Sequence, residues 1–360
     1  MLKNKPKNRG NRVKVPNFIA IRENIISDIY KILCEQNVYF KKVLFLGDRK
    51  TFEIGGNKII KQLKAKRVSI IKKSINKSNE RTVKKVVKII KKIKPILLIG
   101  FGGGKVLDVA KICAGKNHIK FVSIPTILSN DGIASPVSVI TNKDGIPVSH
   151  LTHPPYGIII DFSIIKKAPL RHLRAGVGDL VSNLSAVCDC RLARRIEYEN
   201  INQDILELAE AGAKRLLKVG QRNIKGKEFL ECLCDGLLKS GLAMCLVGSS
   251  RPASGSEHKI SHSMDYLFPH RNSLHGEQVG IATLYTMALQ KNPYLKLVIK
   301  LYKRIKFPTR LSYLGITPDE FVQVVLNAKK IRPRRYTILE HKTLTEKHIR
   351  NIIGMIKANR

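Results

Sequence analysis

The stretch Ile96-Leu97-Leu98-Ile99-Gly100-Phe101-Gly102-Gly103-Gly104-Lys105-Val106-Leu107-Asp108-Val109-Ala110-Lys111 leaves this chain few folds to choose from. An unbroken apolar run reads as a strand buried on both faces, which is the habit of parallel sheets. The glycines that end it lead directly into a helical pattern. At such a turn, backbone N–H groups and the positive end of a helix come up to an anion, and a diphosphate is the usual occupant. The glycines do not stand in the G-x-G-x-x-G register, so the turn suggests a dinucleotide site of another kind. Asp108 and Lys111 read equally well as site residues or as helix-surface residues.

The flanking chain repeats the theme. Val43-Leu44-Phe45-Leu46 ends in Gly47-Asp48, Val68-Ser69-Ile70-Ile71 is a second short run, and Phe121-Val122-Ser123-Ile124-Pro125-Thr126 is another. Helical spacing covers 25–36, 52–63 and 80–93, and short strands fill 137–160. Alternating strands and helices predict a parallel sheet with its ligands at the strands' C-terminal edge. From about residue 166 only helical periodicity remains. The expected architecture is therefore a flexible basic tail (1–15), an α/β domain with a parallel dinucleotide-binding sheet (16–165) and an all-α domain (166–360).

The helical half holds the metal-competent residues. His258 and His262 are four apart and share a helix face, and His275 follows beside Gly276. Three imidazoles without a carboxylate make an incomplete site. Asp179, after Gly176 and Gly178, reads either as a helix N-cap or as the missing carboxylate. Arg251 suits either a phosphate contact or a helix-end salt bridge. The seven cysteines include C-x-C pairs at 188/190 and 232/234, whose thiols diverge on a helix, so reduced thiols are expected and not a zinc site.

Charge is the other strong signal. Sixty-six Lys+Arg against 27 Asp+Glu give +39 at pH 7, and Lys58–Lys94 holds a single acid, Glu80. Such a surface attracts nucleic acid, anionic lipid and anionic metabolites. Tryptophan is absent and no nucleic-acid-binding signature appears, so no specific nucleic acid is expected, while peripheral attraction to anionic lipid stays open. A basic nucleic-acid- or lipid-binding protein is the alternative from a different class. No apolar run reaches membrane-spanning length and no signal peptide is read, so the expected location is cytoplasmic.

Several motifs together resemble the superfamily of iron-containing alcohol dehydrogenases, glycerol dehydrogenases and dehydroquinate synthases. They are Gly102-Gly103-Gly104-x-x-x-Asp108-x-Ala110-Lys111, Gly178-Asp179, and His258 with His275-Gly276. Asp131-Gly132-Ile133-Ala134-Ser135-Pro136 and the block Gly248–His258 are more specific, and resemble the sn-glycerol-1-phosphate dehydrogenases. The resemblance implies a dehydroquinate synthase-like fold, NAD(P)H, and one divalent ion, zinc in that family. It implies Asp179, His258 and His275 as metal ligands. Gly102, Gly103, Gly104, Lys105, Val106, Thr126, Ile127, Leu128, Ser129 and Ser135 are the implied cofactor-binding residues. Asp131, Asp179 and His262 are implied at the substrate as the catalytic set. The implied reaction reduces dihydroxyacetone phosphate to sn-glycerol 1-phosphate for archaeal-type phospholipid backbones, in a homo-oligomer. A glycerol dehydrogenase-like polyol oxidoreductase is the nearer alternative. The loop Ile127-Leu128-Ser129-Asn130 departs from the family's smaller residues and histidine before the aspartate.

Overall fold

The structure, a computed structural model, describes residues 13–220, 223–269 and 273–358. Most of the expected basic tail, residues 1–12, lies outside the described residues.

Six strands form one parallel sheet in the order β1-β8-β5-β4-β2-β3. They are β1 (Phe18–Arg22), β2 (Lys42–Gly47), β3 (Ser69–Ser74), β4 (Leu97–Gly102), β5 (Lys120–Pro125) and β8 (Gly157–Asp161). The remaining two, β6 (Val137–Thr141) and β7 (Pro147–Leu151), make an antiparallel hairpin. β4 and β8 are buried at every position, as unbroken apolar runs require. β1 was not foreseen. Its sequence, Phe18-Ile19-Ala20-Ile21-Arg22, is apolar but only five residues long, and as an edge strand it leaves Ile19 and Ile21 exposed.

Alternation along the strands feeds two apolar layers. Val43, Phe45, Leu97, Ile99 and Phe101 pack under α1 (Ile29–Glu35) and α2 (Asn57–Ala65). Leu44, Leu46 and Leu98 face α3 (Glu80–Ile93) and α4 (Gly104–Asn117), and this layer continues without a break into the helical half. Asn79 caps α3 by accepting the Thr82 N–H at 2.9 Å, and the helix buries Val83, Val86 and Ile90 while its lysines face out.

Beyond β8, the described residues contain helices and turns only. The axis of this half is α5 (Leu170–Arg195), packed against α9 (His275–Leu289). Around them stand α6 (Gln203–Lys218), α7 (Lys227–Val247), α8 (Ser256–Leu267), α10 (Leu295–Ile305), α11 (Pro318–Asn327) and α12 (Glu346–Ala358). Asp179 is not an N-cap: α5 starts at Leu170 and carries Asp179 in its interior. The glycines before it answer to packing. A β-carbon on Gly176 would strike the Leu128 carbonyl, and one on Gly178 the Gly276 carbonyl. A mid-helix glycine costs about 1 kcal/mol against alanine, tolerated here because the backbones must nearly touch.

The C-x-C pairs lie on α5 and α7 as free cysteines. Among the described residues, no helix is long and apolar enough to cross a membrane.

Candidate active site

Three segments converge where the sheet's C-terminal edge meets α5. The first is the glycine turn. β4 ends at Gly102, Gly103 is extended (φ −84°, ψ −174°), and α4 begins at Gly104 with no side chain capping its N-terminus. Its first N–H groups are left for a ligand. Lys105 is exposed in the first turn, whereas Val106 is buried and its N–H already donates to the Gly103 carbonyl at 3.0 Å, so the groups left are those of Gly104 and Lys105.

The second segment leaves β5. Thr126 N–H donates to the Gly102 carbonyl at 3.1 Å, tying this loop to the glycine turn. Ile127 lies against Gly103, where a β-carbon would meet it at 2.8 Å. Leu128 is fully buried, its carbonyl against Gly176 of α5. The loop therefore hands Ser129, Asn130 and Asp131 across to the helical half. Asp131 N–H donates to Asp179 Oδ2 at 2.9 Å, and Ser240 Oγ donates to Asp131 Oδ2 at 2.8 Å. Lys111 is no surface residue: 1% exposed, its Nζ donates to the Gly132 and Val137 carbonyls, each at 2.7 Å, and so holds this loop down. Asp108 lines the cavity beside it.

The third segment is the block before His258. Gly248 (φ 69°) ends α7 in the left-handed region, where glycine sits without strain. A short turn over Arg251–Ala253 leads to Gly255 and α8. The new helix is capped by carboxylates from two sources. Glu257 Oε1 accepts the Gly255 N–H at 2.6 Å, and Asp189 Oδ2 accepts the Ser256 N–H at 2.7 Å. A side chain at 255 would run into the Asp189 carboxylate at 2.6 Å. That close fit fixes where α8 starts and therefore where His258 and His262 point.

The result is a compact donor set. One ligand atom from each of Asp179, His258 and His275 lies within 4.8 Å of the others, and among the described residues no other such group of His, Cys, Asp and Glu occurs. His258 Nε2 and His275 Nε2 stand 4.0 and 3.8 Å from Asp179 Oδ1. Ligands ~2.1 Å from a tetrahedral ion are ~3.4 Å apart, so both imidazoles stand about half an ångström too far from Asp179 and would close in to seat one. Burial holds His258 and His262 well below the usual imidazole range and lowers His275 to about 3, which keeps all three neutral and ligand-competent. Burial, reinforced by the charge on Asp131, raises Asp179 well above the carboxylate range. A buried carboxylate facing neutral imidazoles lacks a counter-charge, and a divalent cation is the group that supplies one.

His258 Nδ1 is 2.9 Å from Glu257 Oε1, and His275 Nδ1 is 3.4 Å from Ser261 Oγ. Such partners orient a ligating imidazole. Glu257 precedes His258 in the sequence block, yet adjacency alone did not mark it as a partner. Ser240 and Arg332 gave no sequence signal at all.

One cavity collects Asp108, Asn130, Asp131, Ser135, Asp179, His258, His262, His275 and Arg332. Arg251 is not in its wall. That guanidinium is 3% exposed, pairs with Glu199, and donates to the Asp189 and Tyr336 carbonyls. The expected phosphate contact is thus corrected: Arg251 serves the buried salt-bridge role, because the turn directs it away from the cavity. Asp48 also has local work, capping its own helix by accepting the Thr51 N–H at 2.8 Å.

A parallel sheet with an anion-ready turn, facing a helical half with a carboxylate–imidazole triad, suits an enzyme that brings a dinucleotide up to a divalent ion. The family model that matches residues 20–169 is that of iron-containing alcohol dehydrogenases. The chain is 37% identical to the glycerol-1-phosphate dehydrogenase of Methanosphaera stadtmanae, covering 94% of this chain and 96% of that one. It is 33% identical to the enzyme of the same name from Nitrosopumilus maritimus, over 99% and 100%. The chain belongs to the glycerol-1-phosphate dehydrogenase family. Its fold is that of the crystal structure of glycerol dehydrogenase from Schizosaccharomyces pombe (TM-score 0.78, 21% identity, 97% and 90% covered).

Proposed function

We propose that this chain reduces dihydroxyacetone phosphate to sn-glycerol 1-phosphate with NAD(P)H, using one divalent ion. The observation that carries the reading is a single cavity in which Asp179, His258 and His275 stand beside Asp131 and His262, reached by the loop tied to the glycine turn. The relatives bear the same activity in their names.

Asp179, His258 and His275 would hold the ion, and two imidazoles with one carboxylate leave a position open, as zinc favours. Gly102–Val106, Thr126–Ser129 and Ser135 would hold the dinucleotide. When bound, these groups supply the hydride and the Lewis acidity. The chain's own part is placement and proton handling. Asp131, fixed by Ser240 and by its N–H to Asp179, lies in the wall where the substrate would bind. Burial pushes its carboxyl up to about 6, a range suited to giving or taking a proton near neutrality. His262, one helical turn beyond His258, presents a neutral imidazole to the same space.

The test is NADH and NADPH oxidation with dihydroxyacetone phosphate against dihydroxyacetone, before and after chelation. We expect turnover on the phosphorylated ketone, lost on chelation and restored by zinc. Turnover unchanged by exhaustive chelation would remove the metal from the reading, and no turnover with a metal-loaded protein would remove the reaction.

A further inference from the structure

Arg332 enters the cavity from a turn that follows α11. Every hydrogen bond of its guanidinium goes to a neutral group. Nη1 donates to Ser254 Oγ at 2.9 Å, and Nη2 donates to Ser149 Oγ and to His262 Nε2, each at 3.0 Å. Arg335 stands close by, donating to the Ser254 carbonyl at 2.7 Å and to Ser250 Oγ at 3.1 Å. Arg251, the most deeply buried arginine among the described residues, is by contrast paired with an acid, Glu199. Desolvation lowers Arg332 and takes Arg335 down to about 9, the behaviour of buried cations short of counter-charge.

The backbone adds an independent observation. Arg332 has φ 49°, in the left-handed region that glycine occupies freely and a residue with a β-carbon does not. An arginine held there brings a planar fork of donors to the cavity, and such a fork matches a phosphate two bonds at a time. The position also fits the substrate's length. Arg332 touches His262, and the His262 and His275 rings are 6.0 Å apart, so the fork lies one imidazole's breadth from the triad. A ketone carbon and a phosphate a few bonds away can span that gap.

We propose that Arg332, backed by Arg335, receives the phosphate of the substrate and so sets the preference for a phosphorylated over a plain ketone. The proposal rests on the dehydrogenase reading above. On binding, the phosphate oxygens take over donors now directed at Ser149 and His262.

The test compares Arg332→Gly and Arg332→Lys with the unaltered, zinc-loaded enzyme. Glycine suits the backbone, so Arg332→Gly should keep its melting temperature and bound zinc. We expect it to lose about 100-fold in kcat/KM on dihydroxyacetone phosphate, mostly in KM, and no more than a few-fold on dihydroxyacetone. Inorganic phosphate, titrated by calorimetry, should bind the unaltered enzyme and weaken by a similar factor in the variant. Equal losses on both ketones would mean that Arg332 only positions His262, and an unchanged ratio would overturn the proposal. Should the glycine variant fail to fold, Arg332→Lys decides: about a tenfold fall in the ratio supports the proposal, and no fall refutes it. If the unaltered enzyme reduces neither ketone, the dehydrogenase reading fails, and phosphate calorimetry on the two variants still judges Arg332.

Discussion

The two halves of this molecule use glycine for opposite ends. At Gly104 the glycine leaves the backbone open, while the side chains of Val106 and Ile127 crowd Gly102 and Gly103. A β-carbon on Gly104 would find only Asn130 Nδ2 at 3.6 Å, so the turn has room on its outer side. At Gly176, Gly178 and Gly276 they close the backbone onto itself, and a β-carbon at any of the three would meet a carbonyl. The sheet half thus offers N–H groups from a local turn, while the helical half offers side chains fixed by contacts between distant segments. The first kind of site is local in sequence. The second exists only after folding.

That difference sets the scale of damage expected in each half. His258→Ala removes a donor that no neighbour replaces, and should abolish both stoichiometric metal and turnover, read by elemental analysis and NAD(P)H oxidation. A variant with a full ion and normal rate would sink the assignment of the triad. His262→Ala should keep its metal and lose most of its rate; loss of metal there would make His262 a ligand and redraw the site.

Next in size is a paired test of the glycines. Gly276→Ala drives a methyl into the Ala175 carbonyl, beside His275 of the proposed metal site. Overpacking between two rigid helices should cost about 3 kcal/mol, seen as a lower denaturation midpoint with weakened metal binding. Gly104→Ala should leave stability within about 0.5 kcal/mol and weaken only NAD(P)H binding, measured by fluorescence titration. If both changes destabilised alike, the contrast between the halves would be wrong. Glu257→Gln comes third. It keeps the shape but weakens the hold on His258 Nδ1, and metal affinity should fall by about 10- to 100-fold by competition with a chelator. Unchanged affinity would make Glu257 only a cap for Gly255.

The same contrast explains what the sequence could reveal. The β4–glycine–α4 unit was legible because strand, turn and helix adjoin, and the helical second half because its periodicity never lapses. Asp179, His258 and His275 could be nominated by type, and the fold does bring them together. What stayed hidden was non-local. Asp179 could be read as a cap as well as a carboxylate ligand because it follows two glycines, and here those glycines mark a crossing of α5 with α9. Arg251 and Arg332 are alike as letters; one is tied to Glu199 and the other faces the cavity, and only the turn that carries each decides which. β1 was missed although Phe18-Ile19-Ala20-Ile21 is apolar: it is a short edge strand, and its parallel partner β8 lies more than 130 residues away in sequence.

The smallest effect tests whether the sheet half also hides a strained group. Asp108 lies in the cavity wall, and desolvation pushes its carboxyl up to about 7, partly opposed by Lys111. A carboxyl whose folded value exceeds its unfolded one takes up protons on folding. The folded state is therefore penalised fully above pH 7, and the penalty fades as pH falls toward 4. Asp108→Asn removes the charge and should raise the melting temperature at pH 8. Cavity water screens part of the penalty, so the gain should be about 1 kcal/mol, or about 2 °C in a chain of this size, and should vanish by pH 4. A gain independent of pH would assign the effect to packing. A loss at pH 8 would mean that the Asp108–Lys111 attraction outweighs desolvation, and that this half too relies on a buried charge pair to hold its loop against α5.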